Sequence, residues 1–446
     1  MPNACPTRRQ VTCGASLAHA MRPHARGPGP GASRVKAAIL GAATQVLTDH
    51  GVEALSLRAI ADVAGIGVTS IYHYFSSKAE ILVDLASLGF RDLELDIQKR
   101  QQDAPSPMEG GAQAFFDFVR DRPTLFLLMF DEHLMSRSAV VREAEQAAFL
   151  AYAAAVRAGG RIPEEIQDDV ALALWALGRG AAAIMSSYPD GAMPEEAFTR
   201  LLAGANYLIE RGLPPTRGFA LAPRTDALDA SIGVLSFATG DEAGRPSGQG
   251  RRVLSPIIRL TPVANSLQSR VVSAALTVLE TEGPDRLSLR TIALRAGVGL
   301  GSIYYYLPSK QDLLRRLALS GLGDLLDQVR RSITADGGLG PMRASHKAYN
   351  AFVRARPALF SLMFNPGLLS QHAQLRVAEG KVFDTYRAAV RAEGRIPIEL
   401  QDSATLAIWA LGRGQASMMT SYGGALPVEL EKRLARGAAF LIDRRA

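Results

Sequence analysis

The feature that most constrains this chain is a long internal repeat. Residues 51–78 align with residues 283–310 without a gap, and 16 of the 28 positions are identical. Farther along, residues 122–126 match residues 356–360, and the segment around Trp175 matches the one around Trp409. The offset of 232 residues is far longer than the roughly 20–50 residues of solenoid repeats. The repeat therefore predicts a duplicated two-domain unit.

Two segments outside the repeat have the composition of unstructured chain. Residues 1–32 contain Arg8, Arg9, Arg22 and Arg26, no acidic residue, and many prolines and glycines. Residues 213–264, which lie between the copies, are also rich in proline and glycine. Such composition is typical of tails and linkers. We therefore expect a disordered basic tail at 1–32 and a linker at 213–264.

Within each copy, apolar residues recur at the three- and four-residue steps of an α-helix. Val35, Ile39, Ala42 and Val46 follow this spacing, and Ser33 just before them is a suitable N-cap. Strand signals are scarce, apart from an apolar patch at residues 232–237. The pattern predicts an all-α chain with two tandem units. Each unit has a helix-turn-helix domain, at 33–90 and 265–322, followed by a larger helical domain, at 91–212 and 323–446.

The net charge of +7 lies mostly in the predicted tail and linker. Residues 1–48 hold six Lys/Arg and no acid, and residues 213–264 hold six Arg against four acids. Residues 265–331 hold nine Lys/Arg against six acids, whereas residues 33–91 hold five of each. Charge thus suggests a nucleic-acid partner for the second helix-turn-helix only, and does not prove one. The tail either follows a DNA backbone, which makes binding salt-dependent, or is simply disordered.

The sequence has no run of about 18 apolar residues that predicts a membrane span, and its first residues lack the apolar core of a secretory signal. We therefore expect a cytoplasmic protein. Its two cysteines, Cys5 and Cys13, both lie in the predicted tail. No disulfide framework or cysteine metal site is predicted for the folded domains. The two thiols are either a redox pair or incidental.

Each copy contains a short helix, a glycine turn and a second short helix. In the first copy, Ser56 can cap a helix at 57–64, and the turn at 65–67 leads into a helix at 68–75. This order is the helix-turn-helix pattern, in which the turn presents the second helix to the major groove. A further helix begins at Ser77 and Glu80, which form a capping box. We expect Ile60, Ala64, Ile71 and Phe75 to form the small core of this domain.

The residues of this segment resemble the signature of the TetR family in both copies. The resemblance runs from Ser56 through Gly65 to Lys78, and again from Ser288 through Gly297 to Lys310. It implies that Arg58 and Arg290 reach a base edge or a phosphate. It also implies a base-facing set and a phosphate-gripping set in each copy. The base-facing set is Val68, Thr69, His73, Leu300, Gly301 and Tyr305; the phosphate-gripping set is Ser70, Tyr72, Tyr74, Lys78, Ser302, Tyr304, Tyr306 and Lys310.

The two copies differ where they are expected to face bases. Thr69 and His73 of the first copy are replaced by Gly301 and Tyr305 in the second. Two different heads are expected to prefer two different half-sites, so the sequence predicts a quasi-palindromic or asymmetric operator. Gly301 offers no side chain to a base. The second head is therefore expected to be less selective; the alternative is that one of the two heads is vestigial.

The larger helical domains carry a possible effector site. The element Trp-x-x-x-Arg-Gly at residues 175–180 is similar to a Trp-x-x-x-His-Gly motif of one TetR branch, with Arg in place of His. Arg179 and Arg413 either meet an acidic ligand group, or pair with an acid such as Asp169, or contact backbone carbonyls. The candidate lining of an apolar pocket, which is equally a candidate core, is Phe126, Met129, Trp175, Arg179, Met185, Tyr188, Phe360, Met363, Trp409, Arg413, Met418 and Tyr422.

These observations favour a DNA-binding transcriptional regulator over other classes of protein. We expect a ligand-responsive repressor in which the two copies pair within one chain as a pseudo-dimer. Its partners would be double-stranded DNA and a small apolar or amphipathic effector, with no cofactor and no metal. No catalytic motif is found among the scattered histidines, so we do not expect an enzyme. The alternative is a ligand- or partner-binding protein of this fold in which one or both heads no longer bind DNA.

Overall fold

The computed structural model describes residues 30–188, 193–211, 267–283, 286–335, 337–338, 340–422 and 426–442. These residues are all-α, as the sequence predicts. The predicted linker, the apolar patch at 232–237, both cysteines and all but the last three residues of the predicted tail lie outside the described residues. Within the described part of the chain, none of the helices is long and apolar enough to cross a membrane.

Ten helices of the first copy are matched one for one by ten helices of the second. The first copy consists of α1 (Pro30–Ala54), α2 (Leu57–Ala64), α3 (Val68–Tyr72), α4 (Lys78–Asp103), α5 (Pro107–Asp121), α6 (Pro123–Met129), α7 (Glu132–Arg137), α8 (Ala139–Ala158), α9 (Gln167–Met185) and α10 (Glu195–Arg211). The second consists of α11 (Leu267–Glu282), α12 (Leu289–Ala296), α13 (Leu300–Tyr306), α14 (Lys310–Thr334), α15 (Pro341–Ala355), α16 (Pro357–Met363), α17 (Pro366–Gln371), α18 (Ala373–Glu393), α19 (Gln401–Ser421) and α20 (Val428–Ile442).

Two helix boundaries differ from those expected from the sequence. Helix α1 begins at Pro30, so Ser33 lies inside its first turns and is not the N-cap; proline suits such a start because its fixed φ matches the helix. Helix α3 ends at Tyr72, because residues 73–75 form a turn. The long helices α4 and α14 run through the predicted domain boundaries near residues 90 and 322. Each head is therefore joined to its body by one continuous helix.

The body of each copy packs around one strongly apolar helix. Almost every residue of α9 and of α19 is buried. A helix that is apolar on all sides needs partners on all sides, and α9 has them. It packs against α5 and α8 of its own copy on one side and against α19 and α20 on the other.

The main contact between the two copies is made by four helices, α9, α10, α19 and α20, which pack as a bundle, and α7 also contacts α19. The closest approach is at Gly180 and Gly414. A methyl group added at Gly180 would lie 1.7 Å from the Ala410 carbonyl oxygen, and one added at Gly414 would lie 1.6 Å from that of Ala176. Gly204 and Gly437 make similar backbone contacts, with Ser403 and Asp169. Glycine is therefore required at these crossings, and the contacts obey an approximate twofold symmetry.

Two polar contacts between the copies break that symmetry. Asp169, whose side chain is 6% exposed, accepts hydrogen bonds from Arg433 Nε at 3.0 Å and Arg436 Nε at 2.6 Å. Ser403 occupies the position of Asp169 in the second copy. Arg179 Nη2 donates to the Ser417 and Ser421 hydroxyls at 3.0 and 3.1 Å. The other copy has Ser403, Ala203 and Ala183 at the positions of Asp169, Arg436 and Ser417, so these bonds have no full equivalent across the twofold axis.

Candidate DNA interface and effector sites

Local capping fixes the turn of the first head. The Ser56 hydroxyl accepts a hydrogen bond from the Ala59 amide at 3.1 Å and starts α2. Gly65 ends α2 in the left-handed region, with φ +66°, a conformation that costs glycine little. Ile60, Ile71 and Phe75 are buried beneath the turn, whereas Ala64 is partly buried. These contacts hold α3 in a fixed orientation on α2.

The second head repeats the same local structure. Ser288 caps α12 through the Thr291 amide at 3.1 Å, and Gly297 ends it with φ +63°. Helix α13 runs to Tyr306, two residues farther than the equivalent end of α3. The N-terminal residues of the presented helix, Leu300 and Gly301, are exposed. The two heads therefore share a scaffold and differ in the length and the side chains of that helix.

Most of the predicted DNA-contacting side chains are accessible on the surface of their head. Tyr72 and Tyr304 are 58% and 54% exposed. Ser70, Tyr74 and Lys78 are partly buried, and nothing is described of the Tyr306 side chain. The exposed members are Arg58, Val68, Thr69, Tyr72, His73, Arg290, Leu300, Gly301, Ser302, Tyr304, Tyr305 and Lys310. Their roles at bases or phosphates remain predictions.

Lys78 differs from its counterpart Lys310. The Lys78 ammonium donates to the Val52 carbonyl oxygen at 3.4 Å and so reaches the end of α1. Lys310, at the same position of the second copy, is exposed. Near Lys78, Ser77 caps α4, and Glu80 accepts from the Ser76 amide at 2.7 Å. These bonds to Ser76 lower the pKa of the Glu80 carboxyl.

The predicted effector contacts lie mostly in the packed core of the bodies. Trp175 is surrounded by aromatic rings, among them Phe115 at 5.3 Å and Phe149 at 5.8 Å between centroids. The buried members of the predicted set are Phe126, Met129, Trp175, Arg179, Met185, Phe360, Met363, Trp409, Arg413 and Met418; Tyr188 is partly buried and Tyr422 is exposed. Their assignment as ligand contacts remains a prediction.

The two motif arginines each pair with an acid of their own copy, which is partly buried in the first copy and buried in the second. Arg179 Nη1 lies 3.1 Å from Glu145 Oε1, and Arg413 Nη1 lies 2.5 Å from Glu379 Oε1. The partner that spacing suggested, Asp169, instead faces the other copy, because it is on the side of α9 that meets α20. Burial raises the pKa of Glu379, and the charge of Arg413 opposes that rise. Sequence reasoning missed both acids, because each lies 34 residues before its arginine along the chain.

A sizeable cavity lies in the second body. It has a volume of about 300 Å³ and is bounded by α15, α18, α19 and α20. None of the predicted effector contacts lines it. At the position of its rim residue Asn350, the first copy has Phe116. That replacement of a polar residue by an aromatic one was the sequence signal that could have revealed this cavity.

Comparisons with known proteins agree with the duplicated architecture. The family model of "Bacterial regulatory proteins, tetR family" matches residues 39–85 and 271–317, and the model of a "Tetracyclin repressor-like, C-terminal domain" matches residues 342–441. A solved structure of a protein of unknown function from Rhodococcus sp. RHA1 is 25% identical, with a TM-score of 0.31; the match covers 37% of this chain and 86% of that one.

Two curated relatives are named as transcription factors. The transcriptional repressor DrrR1 of Streptomyces coeruleorubidus is 38% identical over 93 residues, which are 20% of this chain and 30% of that protein. The transcriptional activator FasR of Mycolicibacterium smegmatis is 26% identical over 112 residues, 24% of this chain and 51% of that protein. The chain spans about half the length of the first curated relatives it matches.

The two heads and the helical bodies behind them define a helix-turn-helix protein with a duplicated all-α architecture. Both heads match the same family model, and the second body matches a companion C-terminal model. The chain therefore carries two tandem TetR-type repeats.

Proposed function

We propose that this chain is a DNA-binding transcriptional regulator that acts as a single-chain pseudo-dimer. The observation that carries the proposal is the presence of two similar exposed reading heads, α2–α3 and α12–α13, on bodies that pack against each other. Two heads must be about 34–36 Å apart to enter successive major grooves of DNA. One chain would then supply what two identical chains supply in a homodimer.

Pairing within the chain is supported by the asymmetric contacts of the bundle. If two first copies paired, Asp169 would face Arg200 and Ala203, the counterparts of Arg433 and Arg436. If two second copies paired, Ser403 would leave both arginines without that carboxylate. A buried acid facing two arginines thus favours pairing of a first copy with a second copy over pairing of two identical copies. The linker also raises the effective concentration of the second copy.

The proposed mechanism is repression that a small molecule relieves. An effector bound in a helical body would change the separation of the heads through α4 or α14, which join each head to its body. A coupling free energy of about 1–3 kcal/mol is sufficient for such control. The exposed Thr69 and His73, against Gly301 and Tyr305, support an operator with two unlike half-sites.

The test is a mobility-shift titration with DNA from upstream of the gene at several salt concentrations. Lys310→Ala should weaken binding to all DNA sequences. It should also reduce the slope of log affinity against log salt concentration by about one. Thr69→Ala should mainly alter the preferred sequence of one half-site. Lys99→Ala, at an exposed lysine near the far end of α4, is the matched control and should change neither property.

Three outcomes separate the alternatives. Sequence-independent or undetectable binding by the wild type would contradict the regulator proposal and favour a ligand- or partner-binding protein. If scrambling one half-site has no effect on affinity, one head has lost its function. Sedimentation of the protein–DNA complex should give one chain per operator, and two chains per operator would contradict pairing within the chain. A reporter gene then tests repression, which predicts higher expression on deletion of the protein.

A further inference from the structure

The cavity of the second body combines an apolar interior with a positively charged rim. Its interior is lined by Tyr386 of α18, Ile408 and Met419 of α19, and Leu434 of α20. Side chains of α15 form the rim and include Arg343, Lys347 and Arg354. A site with an apolar interior and a few convergent polar groups is typical of small-molecule binding, and about 300 Å³ is at the lower end of the usual range.

Charge at the rim favours an anion. Besides the three cations, His346 lies at the rim and is 2.9 Å from the Asn350 side-chain nitrogen. The one acidic lining residue, Glu431, already pairs with Arg354. With histidine neutral, three cations and one acid leave two net positive charges around the opening. A ligand with a negative group would be held here and a cationic ligand would be repelled.

A buried amide adds a second polar contact deeper in the cavity. Gln415 lines the cavity and is 6% exposed, and no hydrogen bond of its side chain is found within the described ranges. Because the residue lines the cavity, a polar group of a bound ligand can form a hydrogen bond with this amide. Gln415 also follows Gly414, where α19 meets the Ala176 carbonyl of α9. A ligand at Gln415 therefore touches the helix that joins the two copies.

The equivalent region of the first body is filled. Phe116 replaces Asn350 and Phe198 replaces Glu431, and their rings pack edge to face with centroids 6.5 Å apart. A pocket of only about 10 Å³ is found there, which is at the lower limit for a single water molecule. The charge has changed as well, because Glu109 and Gln113 occupy the positions of Arg343 and Lys347. Ala181 replaces the amide of Gln415.

We propose that the second body alone holds the effector site and that its ligand is a small carboxylate with an apolar tail. The carboxylate lies against Arg343 and Lys347, and the tail fills the space between α18, α19 and α20. Since α19 and α20 both pack on α9 of the first copy, occupancy is transmitted to the contact between copies. Binding itself does not depend on the proposed function, whereas its effect on DNA rests on it.

The experiment uses the full-length protein and calorimetric titration with hexanoate, octanoate, decanoate and phenylbutyrate. At least one carboxylate should bind with a stoichiometry of one per chain, and the matching alcohol and amine should bind at least tenfold more weakly. A stoichiometry of two per chain, equal binding of the amine, or no binding of any carboxylate would overturn the proposal.

Variants then locate the site by exchanging residues between copies. Asn350→Phe, which introduces the ring present in the first copy, should abolish carboxylate binding. Lys347→Gln should weaken it at least tenfold without a change in thermal stability. Gln113→Ala in the first body is the matched control and should bind as the wild type does. Undiminished binding by Asn350→Phe would place the ligand elsewhere and contradict the proposal, provided that its circular dichroism spectrum is unchanged.

A DNA-release assay distinguishes this inference from the proposed function. Carboxylate binding with no mobility shift of any DNA would support the effector site and contradict the regulator proposal. Specific DNA binding without carboxylate binding would support the regulator proposal and contradict the effector site. If both occur, the best carboxylate should lower operator affinity at least fivefold in the wild type and not in Asn350→Phe.

Discussion

Replacing Gly180 by alanine is the most direct perturbation of the contact between the copies. The new methyl group would lie 1.7 Å from the Ala410 carbonyl oxygen and 2.6 Å from the Gly414 amide nitrogen. Both atoms belong to the backbone of α19 and cannot rotate away, so the two helices must separate. The change therefore tests whether α9 and α19 cross at this residue.

The magnitude follows from two opposing contributions. Overpacking a close-packed contact costs typically 1–3 kcal/mol, and the upper end applies because the obstructing atoms are backbone. Alanine is a better helix former than glycine by about 1 kcal/mol, which offsets part of this cost. We expect a net loss of about 2 kcal/mol in the free energy of unfolding. Gly323→Ala is the matched control, since Gly323 is an exposed residue within α14 and a methyl group there meets nothing within 4 Å.

The assay is urea unfolding followed by tryptophan fluorescence. The chain's two tryptophans, Trp175 and Trp409, lie on α9 and α19 themselves. The Gly180→Ala transition should move to lower urea, and the Gly323→Ala transition should move slightly to higher urea. If Gly180→Ala stabilised the protein as much as the control does, the helices would not cross at Gly180 and the reasoning would be refuted.

Two further predictions concern polar contacts. Asp169→Asn should lower the free energy of unfolding by about 2 kcal/mol, since it weakens two charged hydrogen bonds at a buried carboxylate. Asp168→Asn, the control at a half-exposed surface ion pair, should lower it by under about 1 kcal/mol. Equal losses for the two variants in urea unfolding would contradict the role assigned to Asp169. Glu80 has a lowered pKa because it accepts two hydrogen bonds from Ser76, so its stabilising contribution is present above its ordinary value of 4.5 and is lost as the pH falls through the lowered pKa. Glu80→Gln should therefore lower Tm at pH 7 and lower it progressively less in acid, and a Tm difference that grows as the pH falls would show the opposite linkage.

Much of the fold could be predicted because its signals are local. Ser56 and Ser288 as caps, and Gly65 and Gly297 in turns, each act within a few residues. The all-α class and the duplication likewise follow from periodicity and from direct comparison of the copies. Start points such as Pro30 and the continuity of α4 were not predicted, because helix ends depend on packing as well as on propensity.

The candidate sites also differ in how far they depend on local sequence. The exposed residues of the heads follow a motif that is contiguous in sequence, so Tyr72 and Tyr304 could be named in advance. The cavity of the second body could not be predicted, since it forms between four helices, α15, α18, α19 and α20, and depends on how they pack. Aromatic and methionine residues at helical spacing were named as a lining, but Trp175 and Trp409 lie in packed cores. Spacing along one helix does not reveal which side faces a cavity.

The sequence by itself determined that this protein has two helix-turn-helix units on helical bodies, because caps, turns and helical periodicity are short-range properties. Only the tertiary structure decided what those bodies meet. Gly180 and Gly414 are small residues in an apolar run until α9 and α19 come close enough for their backbones to touch. Asp169 finds Arg433 and Arg436 across that contact, 264 and 267 residues away along the chain. Contacts of that range are set by how whole helices pack.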